Sequence, residues 1–394
     1  MGKRLFRVLL ICGLAVSAAL IVLEATLRVF PEIRPSFAQE RIESLYKIKP
    51  DSEPWWVHDG ELGFLEKPLR EENIVTIDYS YTRKTDRFGF ANSGTWPEKA
   101  DIVFLGDSLL SGVGVGINGQ ITTLVSDQLP DTAVVNLALP GSSPQHLLRI
   151  YRRFGATLHP KVVIACLYVA SDVDNAKHFD VWNKAGRQWA YEDFRARHYL
   201  EALAELTGGV TPPSKNSADD SKDEERSGLR KYVQTAVNAS ALGKELLYLL
   251  EPVRKGVIHD VSWPDGSRVF LYHRFQNRLR KGIGVEYPSI SDIFFGPLDE
   301  LRRDVESDGA KFVVALIPSK EEIFVHPDDT ASQRLVDEVR LHLDDLGMEV
   351  LDLYPAIRKL AQTTAPYYPH DIHFNKAGNE AVAAAIADWL QTTD

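Results

Sequence analysis

The sequence predicts an α/β protein whose core is a parallel β-sheet with helices covering both faces. Two observations carry this. Five short apolar runs, at 101–105, 133–139, 162–169, 311–317 and 349–353, alternate with helical patterns at 119–129, 144–157, 297–308, 331–346 and 376–391. Strands buried on both faces read as continuous apolar runs, and a helix between runs supplies the crossover that parallel pairing needs. The second is size. A chain of 394 residues, 44% hydrophobic, has material for one large domain with additions. In such a sheet a functional site gathers beyond the carboxyl ends of the strands.

The N-terminus carries Lys3, Arg4 and Arg7, then Val8 to Leu23 without a charge. Extended from Leu5 to Leu27, with Arg7 snorkelling, the segment reaches the length a bilayer requires. The basic flank would remain cytoplasmic and the rest of the chain periplasmic, at an inner membrane. A cleaved signal peptide is the alternative. Ala15 to Ala18 offers small residues, but cutting there would split the apolar run. Residues 1–27 are therefore expected to be a single-pass transmembrane anchor. Residues 28–95 are expected to form a membrane-proximal linker, with a short strand and turn over 73–95.

The first core strand ends at Leu105 and is followed by Gly106-Asp107-Ser108. A serine at a strand exit is held by the strand and exposed by the turn, as a nucleophile must be. A hydroxyl needs a base beside it, and histidine suits that role at neutral pH. Asp371-Ile-His373, near the other end of the chain, offers the base and a carboxylate to orient it. Taken alone, Ser108 would serve equally well as a helix N-cap. Asp107, adjacent to the serine, reads as structural.

Four blocks stand in a fixed order: Phe104-Leu-Gly-Asp-Ser-Leu-Leu-Ser-Gly112, Asn136-Leu-Ala-Leu-Pro-Gly141, Tyr168-Val-Ala-Ser-Asp-Val-Asp-Asn175 and His370-Asp-Ile-His-Phe-Asn-Lys-Ala-Gly378. Together they resemble the SGNH/GDSL hydrolase superfamily. The resemblance implies a flavodoxin-like three-layer α/β/α fold. It also implies Ser108 as nucleophile, His373 as base and Asp371 as its orienting acid. The oxyanion hole would be made by the N–H groups of Ser108 and Gly141 together with Ser171. Ser171 stands where the family has an asparagine, and a hydroxyl is a shorter, freely rotating donor. The Asp-x-His spacing, in place of Asp-x-x-His, looks like membrane-linked members and the alginate O-acetyltransferase-like branch. The segment Ile317-Pro-Ser-Lys320 is similar to one in that branch and makes Lys320 a candidate substrate contact. Asp172 is a second such candidate.

The alternation breaks over 178–295, an insertion in the hydrolase-like domain of 96–394. Trp182, Trp189, Tyr191 and Phe194 open it, a polar loop is expected over 211–228, and Leu229–Leu250 reads as helical. Arg274, Arg278, Arg280 and Lys281 are either a solvated helix face or part of a cap that helps choose substrate.

Other function classes fit poorly. A net charge of −10 disfavours nucleic acid as partner. Cys12 and Cys166 are the only cysteines, so neither a disulfide framework nor a cysteine metal site is available. His370 and His373 lack the helical zinc spacing, and no metal or cofactor is expected. Gly114-Val-Gly-Ile-Asn-Gly119 fits a dinucleotide fingerprint literally, but Ser108 occupies the turn where that fingerprint belongs. The expected partners are an acyl-ester or glycan substrate and the membrane. An esterase, an O-acyltransferase and a non-catalytic glycan binder all remain open.

Overall fold

The computed structural model describes residues 2–30, 55–76, 78–206, 260–271, 291–324 and 334–393. They fall in two compact units, residues 2–30 in the first and residues 55–76, 78–206, 260–271, 291–324 and 334–393 in the second. In the first unit, helix α1 covers Gly2–Val29. Among the described residues no helix is long and apolar enough to cross a membrane. The side chains of residues 1–11 lie outside the described set, and the uncharged run begins among them.

In the second unit, two antiparallel hairpins come first, β1 (Trp56–Asp59) with β2 (Gly63–Glu66), and β3 (Glu71–Val75) with β4 (Ser80–Lys84). The core follows as β5 (Ile102–Leu105), α2 (Ile121–Gln128), β6 (Val134–Asn136), α3 (Pro144–Ile150), β7 (Val162–Leu167) and α4 (Val169–Lys184). A helical turn at Tyr191–Asp193 runs through a π turn, Phe194–His198, into α5 (Tyr199–Leu206). A small hairpin pairs β8 (Asp260–Ser262) with β9 (Arg268–Phe270). The chain closes with α6 (Gly296–Ser307), β10 (Lys311–Leu316), α7 (Lys320–Phe324), α8 (Arg334–Asp345), β11 (Glu349–Asp352), α9 (Tyr354–Leu360) and α10 (Lys376–Thr393).

The five expected runs form one parallel sheet in the order β11-β10-β7-β5-β6. Numbered within the sheet this is the 2-1-3-4-5 order of flavodoxin-like folds, whose topological switch point lies between the first and third strands. Here that point is the boundary of β5 and β7. Side chains alternate across the sheet with the strand period of two. Val103, Leu105, Val163, Ala165 and Leu167 face one core with α3, α4, α6 and α8. Ile102, Phe104, Ile164 and Cys166 face the other with α2, α9 and α10.

Two expectations change in detail. Glu71–Val75 and Ser80–Lys84 pair as a two-stranded hairpin, where a single short strand is expected. Helix α4 runs through position 178, so no break in structure marks the expected start of the insertion. The readings on 211–228, Leu229–Leu250, Arg274, Arg278, Arg280 and Lys281 lie outside the described residues.

The hairpins are tied to the core by buried polar groups. Arg83 on β4 pairs with Glu66 on β2, both nearly inaccessible, and also donates to the carbonyl of Ser111. Burial raises the Glu66 carboxyl despite the attraction of Arg83. Asp86 accepts from the N–H groups of Phe88 and Phe90, from Asn92 Nδ2 and from Trp96 Nε1. Asn92 in turn clamps both backbone groups of Asn136, fixing the end of β6.

Candidate active site

The four residues of β5 are buried and rigidly paired, and the chain leaves the sheet at Gly106. Asp107 accepts the Leu109 N–H at 3.0 Å, which shapes the turn and leaves Ser108 half-buried. Burial pushes the Asp107 carboxyl up to about 6. Asp172, also buried, is raised well above the usual carboxylate range by burial and then by the charge of Asp107. These two acids belong to the interior behind the serine.

The partner loop is pinched off by a β-bridge between Tyr367 and Phe374, with Tyr368 N–H donating to the His373 carbonyl at 3.1 Å. His373 Nε2 lies 2.8 Å from Ser108 Oγ, and its Nδ1 lies 2.5 Å from Asp371 Oδ1. An ionised Asp371 only accepts, so Nδ1 carries the proton and Nε2 is the acceptor facing the serine hydroxyl. Asp371 Oδ1 also accepts the His373 N–H at 3.1 Å, and its Oδ2 accepts the Tyr79 hydroxyl at 2.7 Å.

Further contacts hold the loop itself. Asp78 Oδ2 accepts the N–H groups of His370 and Asp371 at 2.8 and 2.7 Å, while its Oδ1 lies 2.8 Å from His370 Nδ1. Tyr368 OH donates to the Gly114 carbonyl at 2.9 Å. A Cβ at Gly114 would stand 2.6 Å from the Tyr368 ring, and φ there is +90°. The glycine-rich stretch 114–119 thus makes a turn that seats the loop carrying Asp371 and His373.

On the other side of Ser108, Gly141 takes φ +77° in the turn after β6. Ser142 Oγ donates to the Gly106 carbonyl at 2.9 Å, and Asn175 Nδ2 donates to the Ser142 carbonyl at 3.1 Å. Ser143 and His146 close a reciprocal capping box on α3. His146 Nε2 reaches the Leu62 carbonyl at 3.0 Å, and burial lowers its pKa to about 3, so it is neutral. These bonds fix the Gly141 turn against the exit of β5.

The structure therefore brings Ser108, His373, Asp371 and the Gly141 turn together at the switch point. Three expectations change. Lys320, expected to touch substrate, is fully buried; its Nζ donates to the carbonyls of Asp371 at 2.8 Å and Pro369 at 3.4 Å. Burial lowers its pKa to about 8, opposed by Glu321, Asp371 and Asp78. Asp172, the other substrate candidate, is buried and accepts the Tyr168 N–H at 2.9 Å, inside the first turn of α4. Ser171 sits beside it, and its hydroxyl turns to Asp172 Oδ1 at 3.5 Å. Asp78 and Tyr79 were not expected at the site. Among the described residues no group of three or more His, Cys, Asp or Glu side chains could hold a metal ion.

Lys320 positions the loop from below, so Lys320→Met should loosen Asp371 without touching a bound ester. The expected result is a kcat lowered roughly 10- to 100-fold with KM little changed, as when a group acts only in the transition state. A selective rise in KM, measured on the same ester, would return Lys320 to the substrate.

A five-stranded parallel sheet with Ser, His and Asp hydrogen-bonded in series at its switch point is the build of α/β proteins made for acyl transfer through serine. Residues 296–394 match the family model of the SGNH hydrolase-like domain of the acetyltransferase AlgX. The likeness to that family covers the last quarter of the chain. The matched stretch contains Lys320, Asp371 and His373, while Ser108 and Gly141 precede it. No curated protein matches the sequence. Similar solved structures include a lipolytic G-D-S-L family protein from Veillonella parvula, at 9% identity over 74% of this chain and 97% of that one, with TM-score 0.36. An acetyl-xylooligosaccharide esterase variant from Geobacillus is 12% identical over 75% and 95%, with TM-score 0.36. A lipase/acylhydrolase from Enterococcus faecalis is 12% identical over 74% and 95%, also with TM-score 0.36.

Proposed function

We propose that the protein is a serine esterase that removes an acyl group, acetyl included, from an extracytoplasmic glycan or lipid. The observation that carries this is the 2.8 Å contact of Ser108 Oγ with His373 Nε2. Ser108 Oγ bonds to the ester carbonyl carbon as its proton passes to Nε2, and the carbonyl π pair moves onto oxygen. Asp371 stabilises the imidazolium that results. When the intermediate collapses, the C–O bond to the alcohol breaks and His373 returns the proton to that leaving oxygen. Water then repeats the sequence on the acyl-serine and frees the acid.

A second reading exchanges that water for a sugar hydroxyl, making the protein an O-acyltransferase. The match to the AlgX acetyltransferase domain favours it. The third reading, a non-catalytic glycan binder, is opposed by the intact hydrogen-bonded series. One experiment separates the three. The protein is treated with a serine-directed phosphonate, then untreated protein receives labelled acetyl donors with and without glycan. A single adduct on Ser108 and labelled acetate are the expected result. Label on the glycan would replace hydrolysis by transfer, and no adduct would leave the binder.

In the same reading α1 is an inner-membrane anchor with the acyl chemistry on the periplasmic side. Its support is the uncharged run Val8–Leu23 behind Lys3, Arg4 and Arg7. The protein should stay in the membrane pellet after an alkaline carbonate wash; a mature N-terminus near Ala19 would show a cleaved leader instead.

A further inference from the structure

Ser171 supplies a hydroxyl, not an amide, at the third position of the expected oxyanion hole, and that hydroxyl is turned toward Asp172. The charged side chain beside Gly141 is Arg195, from the π turn between α4 and α5. Its Nη1 lies 3.5 Å from where a Cβ on Gly141 would be. Gly141 has no side chain, so nothing of its own separates the guanidinium from the backbone there.

Arg195 is held for this position by a ring stack. Its guanidinium carbon is 5.7 Å from the centre of the Tyr191 ring. Tyr191 is buried and stacks on Phe64 at 5.4 Å with 12° between planes. Phe64 Cζ is the other atom near the Gly141 Cβ position, at 4.0 Å. An arginine over an aromatic face keeps its donors free at the edge of the plane. Among the described residues no carboxylate forms an ion pair with Arg195, which is exposed at the surface. Its charge reaches the interior nonetheless, since it is among the groups that disfavour a proton on His146 in α3.

We propose that Arg195 is the third oxyanion donor of this site, taking the place of the missing amide. It would act with the N–H groups of Ser108 and Gly141 on the oxygen that gains charge as Ser108 attacks. A cation aimed at charge that exists only in the transition state accelerates the chemical step without tightening ester binding. The proposal rests on the serine-esterase reading.

The test uses the full-length protein and a neutral ester, 4-nitrophenyl acetate. This substrate has no anionic group, so simple charge recognition cannot contribute. Arg195→Gln and Arg195→Lys are compared with wild type for kcat, KM and the rate of phosphonate labelling at Ser108. The expected result is a kcat lowered about 100-fold in Arg195→Gln with KM near wild type, and a smaller loss in Arg195→Lys. Guanidinium chloride at non-denaturing concentration should restore part of the rate to Arg195→Ala. Unchanged kcat in Arg195→Gln overturns the inference, and so does a change confined to KM. A wild-type protein that neither labels nor turns over sinks the serine reading itself, and the inference with it.

Discussion

Ser108→Ala is expected to reduce turnover of 4-nitrophenyl acetate to background while leaving the folded protein unchanged. In a serine protease, loss of the serine alone costs about a million-fold in kcat. Here His373 and Asp371 would likewise have no hydroxyl to activate. The side chain is half-buried, and its Oγ lies in hydrogen-bond contact with His373. Its removal should therefore shift stability by no more than about 0.5 kcal/mol. Parallel measurement of turnover and melting temperature checks both halves. Comparable kcat in wild type and variant would end the serine mechanism, whereas a collapsed melting temperature would make the lost activity uninformative.

Arg83→Leu should give the largest loss of stability. Arg83 and Glu66 are 3% and 5% exposed, so removing the arginine strands a carboxylate in the interior. Breaking a buried pair from one side costs about 3–5 kcal/mol. For a domain of this size that is a drop in melting temperature on the order of 10 °C. The variant also removes a donor from the Ser111 carbonyl, in the turn that carries Ser108. Replacing both partners, Glu66→Leu with Arg83→Met, should recover much of the loss, since no charge is then left unpaired. A single variant as stable as wild type would show that Glu66 is protonated and the pair does not act as an ion pair.

The sheet was legible because its signals are local. Each core strand is a short apolar run, and a parallel strand buried on both faces has little choice of composition. The first hairpins were harder. Glu71-Glu-Asn-Ile-Val75 and Ser80-Tyr-Thr-Arg-Lys84 are mostly solvent-facing, so no apolar period announces them. Ser108, Asp371 and His373 could be found from their motifs and positions at strand ends. Asp78 and Tyr79 could not, because nothing local in their own segment points to a loop 292 residues away. Lys320 departs from its expected place for a physical reason. A lysine at the start of a loop ordinarily reaches water, and only the fold reveals that carbonyls of a distant loop receive its ammonium group. Ser171 shows the same limit at short range. Its position was readable, but the direction of its hydroxyl depends on a neighbouring buried acid.

One feature of the closing loop sets the scale on which the chemistry can be disturbed. Asp371 Oδ1 holds both the ring and the backbone N–H of His373, only two residues on. Asp371 and His373 are thus a single cassette, built within one turn of chain and not by the meeting of two remote segments. Displacing the cassette leaves their mutual geometry intact and alters one coordinate, the gap to Ser108. Asp78, Tyr79, Tyr368 and Lys320 all grip the cassette from outside that coordinate. Anything that loosens their grip would act as a throttle on proton transfer, while the histidine kept its tautomer and the sheet kept its fold.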